Sequence, residues 1–357
     1  MNSFGRLFRV NIFGESHGES VGVNIDGVPA GLSLPLEDFL PDLERRKGGI
    51  QKGTTPRKED DLPIFKSGLF HGVSTGSPIT IFFENNNTRS GDYEKQRAVP
   101  RPGHADFVAH EKFGGFEDYR GGGPFSARLT VGLVAAGVIA KKMLAGATGP
   151  DGRTPGEAND SGGNANVLAG ATVTATILEI GGEQDPDKGL QKAIDAKDSI
   201  GGIIECRVSG LPVGLGEPFW DSVESLVAHA IFAIPAVRGV EFGTGFAAAR
   251  MFGSEHNDAI EDMHGHTRTN HAGGVVGGIT NGNELVFRLA IKPTSSTPKD
   301  QRTLNWETGQ QETFSVKGRH DLCVALRAPV IVEAVTAIVL ADLLLLEQRV
   351  HRVVGRG

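Results

Sequence analysis

Four short stretches gather groups that could move a proton or hold an anion. FGESHG (13–18) crowds Glu15, Ser16 and His17 between two glycines, and RPGHAD (101–106) sets His104 behind a Pro–Gly turn. An imidazole titrates near neutral pH and exchanges a proton at little cost. Each could equally be an ordinary turn histidine bonded to the local backbone. DYRGGGPFSARLT (118–130) runs three glycines into an expected helix, with Ser126 and Arg128 at its start. Converging backbone N–H groups and a helix N-terminus together favour anions. KPTSS (292–296) offers one ammonium and three hydroxyls in five residues, either a phosphate cradle or a polar strand exit. Upstream, ERRKGGIQKGTTPRK (44–58) packs Lys and Arg around glycines, and charge runs of this kind are often simply solvated.

Elements of both kinds must position these stretches. Strands are expected at 79–83, 171–180, 202–208 and 284–291, where β-branched and apolar residues concentrate. Helices are expected at 35–46, 129–144 (with Gly146 as its stop), 188–196, 221–233 and 328–346. DSVE at 221–224 reads as a capping box for the fourth helix. The polar, turn-rich segment 146–166 reads as a surface loop between halves of about 1–145 and 167–357.

Composition narrows the class. The chain has 357 residues, 39% hydrophobic and 22% charged, as in a globular protein with a substantial core. Its 50 glycines are about twice the usual share and suit turns and close backbone approaches. Two cysteines, Cys206 and Cys323, form no disulfide framework, and no secretory signal is evident, so a cytoplasmic location is expected. A net charge of −7 argues against nucleic acid as partner. The apolar run 330–346 is broken by Glu333 and Asp342 and reads as a buried helix, with no membrane partner expected.

The chain also matches itself. GVSTGSPITIFFENNNTRS (72–90) lies over GITNGNELVFRLAIKPTSS (278–296) without a gap. A His–Asp segment follows each, RPGHAD and then GRHD (318–321), and a long apolar helix closes each half. If the halves are related, the two His–Asp segments flank one cleft. Two other motifs carry less. EFGTGFAA (241–248) has dinucleotide-like spacing but no apolar helix behind it. The histidine-rich segment 255–271 fits no metal-ligand spacing and reads as a polar lid, so no metal ligands are expected. The residues alone leave open an enzyme acting on a phosphorylated carboxylate, a metal-dependent hydrolase of such a compound, and an anion-binding module.

Nine segments in order resemble one family, chorismate synthase: FGRLFRVNIFGESHG, DLERRKGG, TRSGDY, RPGHAD, DYRGGG-x-x-SAR, AVRGVEFGTGF, NHAGGVVGGITNG, KPTSS and GRHD. The resemblance implies an α/β (α+β) fold: one large domain, a β-α-β sandwich with internal pseudo-symmetry, in a homotetramer. It implies 1,4-elimination of phosphate from 5-enolpyruvylshikimate 3-phosphate to give chorismate, redox-neutral yet needing reduced FMN. Some members reduce that flavin with NADPH and others rely on an outside reductase. Carried over residue by residue, His17 protonates the leaving phosphate, His104 protonates the flavin, and Asp321 acts with it in removing the ring proton. FMN contacts fall on Ser126, Pro235, Ala236, Gly277, Lys292, Pro293, Thr294, Ser295, Ser296 and Arg319. Substrate contacts fall on Ser16, Arg46, Lys52 and Arg128. The chain departs from the family pattern at Pro124 and Phe125 (commonly Arg and Ser), Leu129 (Glu), Leu322 (Pro) and Lys52 (Arg). Lys52 keeps the charge but loses the bidentate fork.

Overall fold

The computed structural model describes residues 2–49, 51–57, 59–88, 97–146, 170–316 and 320–348. Beyond Gly146, most of the expected loop 146–166 therefore lies outside the described residues, as does Arg319. In chain order the elements begin with β1 (Ser3–Phe4), β2 (Arg9–Gly14), β3 (Ser20–Asp26) and α1 (Leu40–Arg46). They continue with β4 (Ile64–Ser67), β5 (Leu69–Phe70), β6 (Val73–Ser74), β7 (Ile79–Glu84), α2 (Asp106–Phe113) and α3 (Thr130–Leu144). The second half holds β8 (Thr172–Ile180), α4 (Pro186–Ala196), β9 (Gly202–Ser209), α5 (Val223–Ile231), β10 (Val237–Phe242) and α6 (Gly253–His256). It ends with β11 (Val275–Val276), β12 (Ile279–Thr280), β13 (Leu285–Ile291), β14 (Gln301–Asn305), β15 (Gln310–Phe314) and α7 (Pro329–Leu346).

Two antiparallel sheets, ordered β1-β2-β3-β7-β4 and β10-β13-β9-β8, sandwich α3 and α7. Alternation explains the strands: Val21, Val23 and Ile25 of β3 and Ile79, Ile81 and Phe83 of β7 point inward and are fully buried. Ile204, Cys206 and Val208 of β9 do the same for the second sheet. α3 and α7 are apolar on nearly every face because both are enclosed, each between its own sheet and the other helix. They touch where Gly137 meets Ala334; a Cβ on Gly137 would stand 2.2 Å from the Ala334 Cβ. By length and composition α7 could cross a membrane, but it is the core helix of the sandwich, 83% buried.

The two carboxylates in α7 are tethers. Asp342 accepts from the backbone N–H groups of Arg6, Leu7 and Phe8 at 2.7–3.0 Å. Glu333 accepts from Arg45 (2.7 and 2.8 Å), Lys141 (2.6 Å) and the Ala175 N–H of β8 (3.1 Å). They bond the helix to the N-terminal segment, to α1 and α3, and to the second sheet.

Internal pseudo-symmetry is visible in two hairpins. β5–β6 pairs Leu69 with Ser74 and Phe70 with Val73; β11–β12 pairs Val275 with Thr280 and Val276 with Ile279, each 206 positions later. Positive φ occurs at 68, 71, 72 and 76 and again at 274, 277, 278 and 282. The Ser74 hydroxyl donates to Pro29 O (2.5 Å) and accepts from Leu32 N (2.9 Å). Thr280 donates to Pro212 O (2.7 Å) and accepts from Leu215 N (2.9 Å).

Two expected helices begin differently. The span 35–46 splits into a 3₁₀ turn at Leu36–Asp38 and α1, because Pro41 is tolerated only in a helix's first turn. The helix expected from 221 starts at Val223, capped by the Ser222 hydroxyl accepting from Ser225 N at 3.1 Å.

Candidate active site

The triple glycine brings the two imidazoles to one wall. Gly121, Gly122 and Gly123 all have positive φ, so the chain turns back on itself. A Cβ on Gly121 would lie 2.2 Å from Cε1 and Nδ1 of His17, and one on Gly122 would lie 3.1 Å from Cε1 of His104. Only glycines allow both rings to close on adjacent backbone units. The His17 turn between β2 and β3 is fixed to this loop by Ser16 N donating to Gly123 O (3.2 Å). Asn85, at the exit of β7, donates to the carbonyls of Glu15 (3.1 Å) and Gly18 (2.9 Å).

His104 stands just before α2. The Lys292 ammonium and the Ser295 hydroxyl both donate to Gly103 O at 2.7 Å, joining this turn to the KPTSS loop. His104 Nδ1 is 2.6 Å from Asp106 Oδ1. Burial would raise the Asp106 carboxyl, but bonds from Arg101 and His104 hold it well below the usual carboxylate range. Asp321 accepts from Thr55 N (2.8 Å) and from Nε (3.1 Å) and Nη2 (2.7 Å) of Arg327.

His104, Gly121, Lys292, Ser295 and Asp321 border one cleft of about 520 Å³. Among the described residues eight Lys and Arg line it, against the carboxylates of Glu59, Asp61 and Asp321. Local charge thus opposes the acidic whole. Asp61, itself at positive φ, is buried between Arg46 (2.8 Å) and Arg128. Burial pushes its carboxyl up, yet the two guanidinium groups prevail and hold it below its ordinary value. Burial, then Arg57 and Arg120, push the His17 imidazole below its ordinary value. Burial, with Arg238 nearby, lowers the Lys292 ammonium.

Of the residues singled out from sequence, Ser16, Arg46, His104, Ser126, Arg128, Pro235, Ala236, Lys292, Pro293, Thr294, Ser295, Ser296 and Asp321 line the cleft. His17 is buried behind Gly121, which does line it. Gly277 is an exposed turn residue of the β11–β12 hairpin, away from the lining. Lys52 is also exposed and outside the lining, its Nζ 3.4 Å from Gln191 Oε1. None of residues 255–271 lines the cleft. Arg57, Arg327 and Asp61 are among the lining groups not singled out from sequence. Arg57 donates to Ser16 Oγ (3.1 Å) and Ser16 O (3.2 Å) while Glu59 takes its Nε (2.8 Å). The cation run 44–58 contained that signal; the pairing of Asp61 had none.

Comparison with known proteins identifies the family. The chorismate synthase family model matches residues 8–345. The chorismate synthase of Chitinophaga pinensis is 68% identical over 353 residues, covering 99% of each chain. That of Synechocystis is 42% identical, covering 96% of this chain and 97% of the relative. A crystal structure of a chorismate synthase superposes with a TM-score of 0.68 at 26% identity, covering 96% of this chain and 93% of that one. Nothing in these comparisons supports the metal-dependent hydrolase, and among the described residues no group of three or more His, Cys, Asp or Glu could hold a metal ion. The chain belongs to the chorismate synthase family, phosphate-eliminating lyases of the shikimate pathway.

Proposed function

We propose that this cleft binds 5-enolpyruvylshikimate 3-phosphate with reduced FMN and that His17, His104 and Asp321 carry its conversion to chorismate. The observation behind this reading is the pair of imidazoles on Gly121 and Gly122, at the edge of the cleft that also contains Asp321. The substrate carries a phosphate and two carboxylates, which the excess of cations in the cleft would neutralise. Ser16, Arg46, Lys52 and Arg128 are the proposed anion holders, with Arg57 added from its bonds to Ser16.

The cleft suits a flavin nucleotide in size, since small-molecule sites commonly span about 300–1,000 Å³. Lys292, Pro293, Thr294, Ser295, Ser296 and Ser126 would hold its phosphate and polar edge, beside the Pro235–Ala236 turn; Arg319 and Gly277, the latter outside the lining, complete the proposed set. Ala236 sits at φ 74°, and backbone strain in a non-glycine residue is commonly found where a ligand is clamped. When bound, reduced flavin supplies electron density that the protein's side chains lack.

The chain's own task is proton handling. An imidazolium disfavoured by burial and by neighbouring guanidinium groups is a stronger acid, so a His17 charged by the arriving phosphate gives its proton readily to the leaving group. Asp321, gripped by Arg327 and Thr55, is held still as a proton acceptor or orienter. We also propose a homotetramer, supported by bare aromatic side chains: Phe219, Trp220, Phe246 and Phe252 are 77–90% exposed. A cytoplasmic location is proposed on the two free cysteines, Cys206 and Cys323. NADPH is the proposed physiological electron source for the flavin.

The test is anaerobic turnover with dithionite-reduced FMN, run in parallel with NADPH alone. Chorismate should form in the first arm, and its absence there overturns the reading. His17→Ala and His104→Ala should each lower kcat by roughly 10²–10⁴-fold while substrate affinity changes far less. Equal loss of both would mean binding without catalysis.

A further inference from the structure

We propose that Asp106 is the positioning residue of His104: its carboxylate fixes the proton on Nδ1, so that Nε2 is the nitrogen that gains and loses a proton during turnover. The inference rests on the reading of His104 as a proton carrier and adds which nitrogen carries and what decides it.

The bonding around the carboxylate leaves one self-consistent arrangement. Oδ2 accepts from Arg101 N (2.9 Å) and Arg101 Nε (2.8 Å). Oδ1 accepts from Arg101 Nη2 (2.7 Å) and stands 2.6 Å from His104 Nδ1. A carboxylate carries no proton to give, so the proton between Oδ1 and Nδ1 belongs to the ring. Arg101 Nη2 is also 3.0 Å from Nδ1. Two donors cannot share a bond, so a protonated Nδ1 leaves Arg101 Nη2 bonded to Oδ1, its nearer neighbour, and not to Nδ1. The opposite tautomer would set the Nδ1 lone pair against a carboxylate oxygen at 2.6 Å, a repulsive contact.

The other edge of the ring is held too. Gly122 comes close enough that a Cβ there would stand 3.1 Å from Cε1 and 3.3 Å from Nε2. A ring flip would exchange Nδ1 for a carbon and cost Asp106 Oδ1 its bond from the ring, leaving only that from Arg101. Asp106 begins α2 and Arg101 ends the segment before the turn, so the carboxylate is fixed by helix and loop together. Imidazolium His104 gives up the Nε2 hydrogen and becomes the neutral Nδ1–H tautomer, with Asp106 bonded identically before and after. No bond to Asp106 breaks and no proton passes to it.

Asparagine at 106 keeps the shape but can turn its N–H₂ toward Nδ1, which stabilises the opposite tautomer. The experiment uses the full chain with ¹⁵N-labelled histidine. Long-range ¹H–¹⁵N correlation at a pH where His104 is neutral reads the tautomer, with the His104→Gln spectrum providing the assignment. The unsubstituted protein should show Nδ1 protonated and Nε2 bare. An Nε2–H signal overturns the inference without any variant at position 106. Asp106→Asn should convert the ring largely to Nε2–H, lower kcat by about 100-fold and change KM less than threefold. Asp106→Glu, which restores a carboxylate, should recover at least part of the lost kcat; should the asparagine variant fail to fold, this variant and the native spectrum still decide. An unchanged tautomer and kcat in Asp106→Asn, where His104→Gln is inactive, would end the positioning role and leave the catalytic reading of His104 intact. Full turnover by His104→Gln would instead remove that reading, whatever the tautomer.

Discussion

The β5–β6 and β11–β12 hairpins share register, turn conformation and hydroxyl staple, yet the strands that follow them are put to different use. Beyond β7 the chain offers Asn85, whose amide pins the His17 turn and accepts from Arg128 Nε at 2.8 Å. Beyond β13 it offers Lys292 and three hydroxyls directly to the cleft. The first half contributes His17, His104 and most of the guanidinium groups; the second contributes the Pro235–Ala236 turn, the KPTSS loop, His320 and Asp321. A repeated frame therefore fixes where strand exits arrive, and a few residues at each exit decide whether it braces the site or lines it.

The largest effect should come from breaking the joint between the halves. Glu333→Gln removes the charge that holds Arg45 and Lys141 to β8. It should cost about 3 kcal/mol in denaturant unfolding, discounted for the partial exposure of Arg45. Burial raises this carboxyl, but Arg45 and Lys141 hold it below its ordinary value. The folded form therefore binds the proton less readily than the unfolded chain, and its contribution is complete above the ordinary glutamate value. It fades as pH falls through the depressed folded one. The stability gap between parent and Glu333→Gln should narrow on that acid side; a gap constant down to acid unfolding would contradict the assignment.

Gly121→Ala should come next and act on the first half alone. The added methyl would sit 2.2 Å from the His17 ring, at φ 60°. We expect kcat to fall about 100-fold, with circular dichroism unchanged, because a displacement of about an ångström in a reacting group costs that much. Unaltered turnover would show that His17 does not depend on this contact.

Much of the frame was legible because burial imposes periodicity. β7, β8, β9 and β13 alternate, and α3 and α7 are apolar throughout, so each appears within a residue or two of its expected span. β2 and β3 were missed since Asn and Gly interrupt their pattern, and α2 because DFVAHEKF buries only Ala109. At the site, the histidines, the triple glycine and KPTSS announced themselves as local clusters. The Arg46–Asp61–Arg128 chain did not. Its two bonds span 15 and 67 positions and meet on an aspartate at positive φ, and nothing local encodes that meeting.

Removing the two staples tests the pseudo-symmetry itself. Ser74→Ala and Thr280→Val each strand a buried backbone N–H, of Leu32 and Leu215 respectively. Each should cost about 1–2 kcal/mol in chemical unfolding, and the two costs should agree within about 0.5 kcal/mol. A large disparity would mean that the hairpins match in shape but bear unequal load.

The smallest effect should be at Lys52, where the two halves meet across solvent. Its ammonium lies 3.4 Å from the neutral amide of Gln191 in α4, an exposed contact at the long end of hydrogen bonding. Lys52→Ala should change stability by less than about 0.5 kcal/mol, as exposed substitutions do. Its effect on KM separates two roles for the segment 51–57. If Lys52 stays beside Gln191 during turnover, KM should rise threefold or less, and the anion is held by Arg46, Arg57 and Arg128. A rise beyond tenfold, with stability unchanged, would mean that substrate draws Lys52 into the cleft, and Gln191→Ala should then lower KM by releasing it.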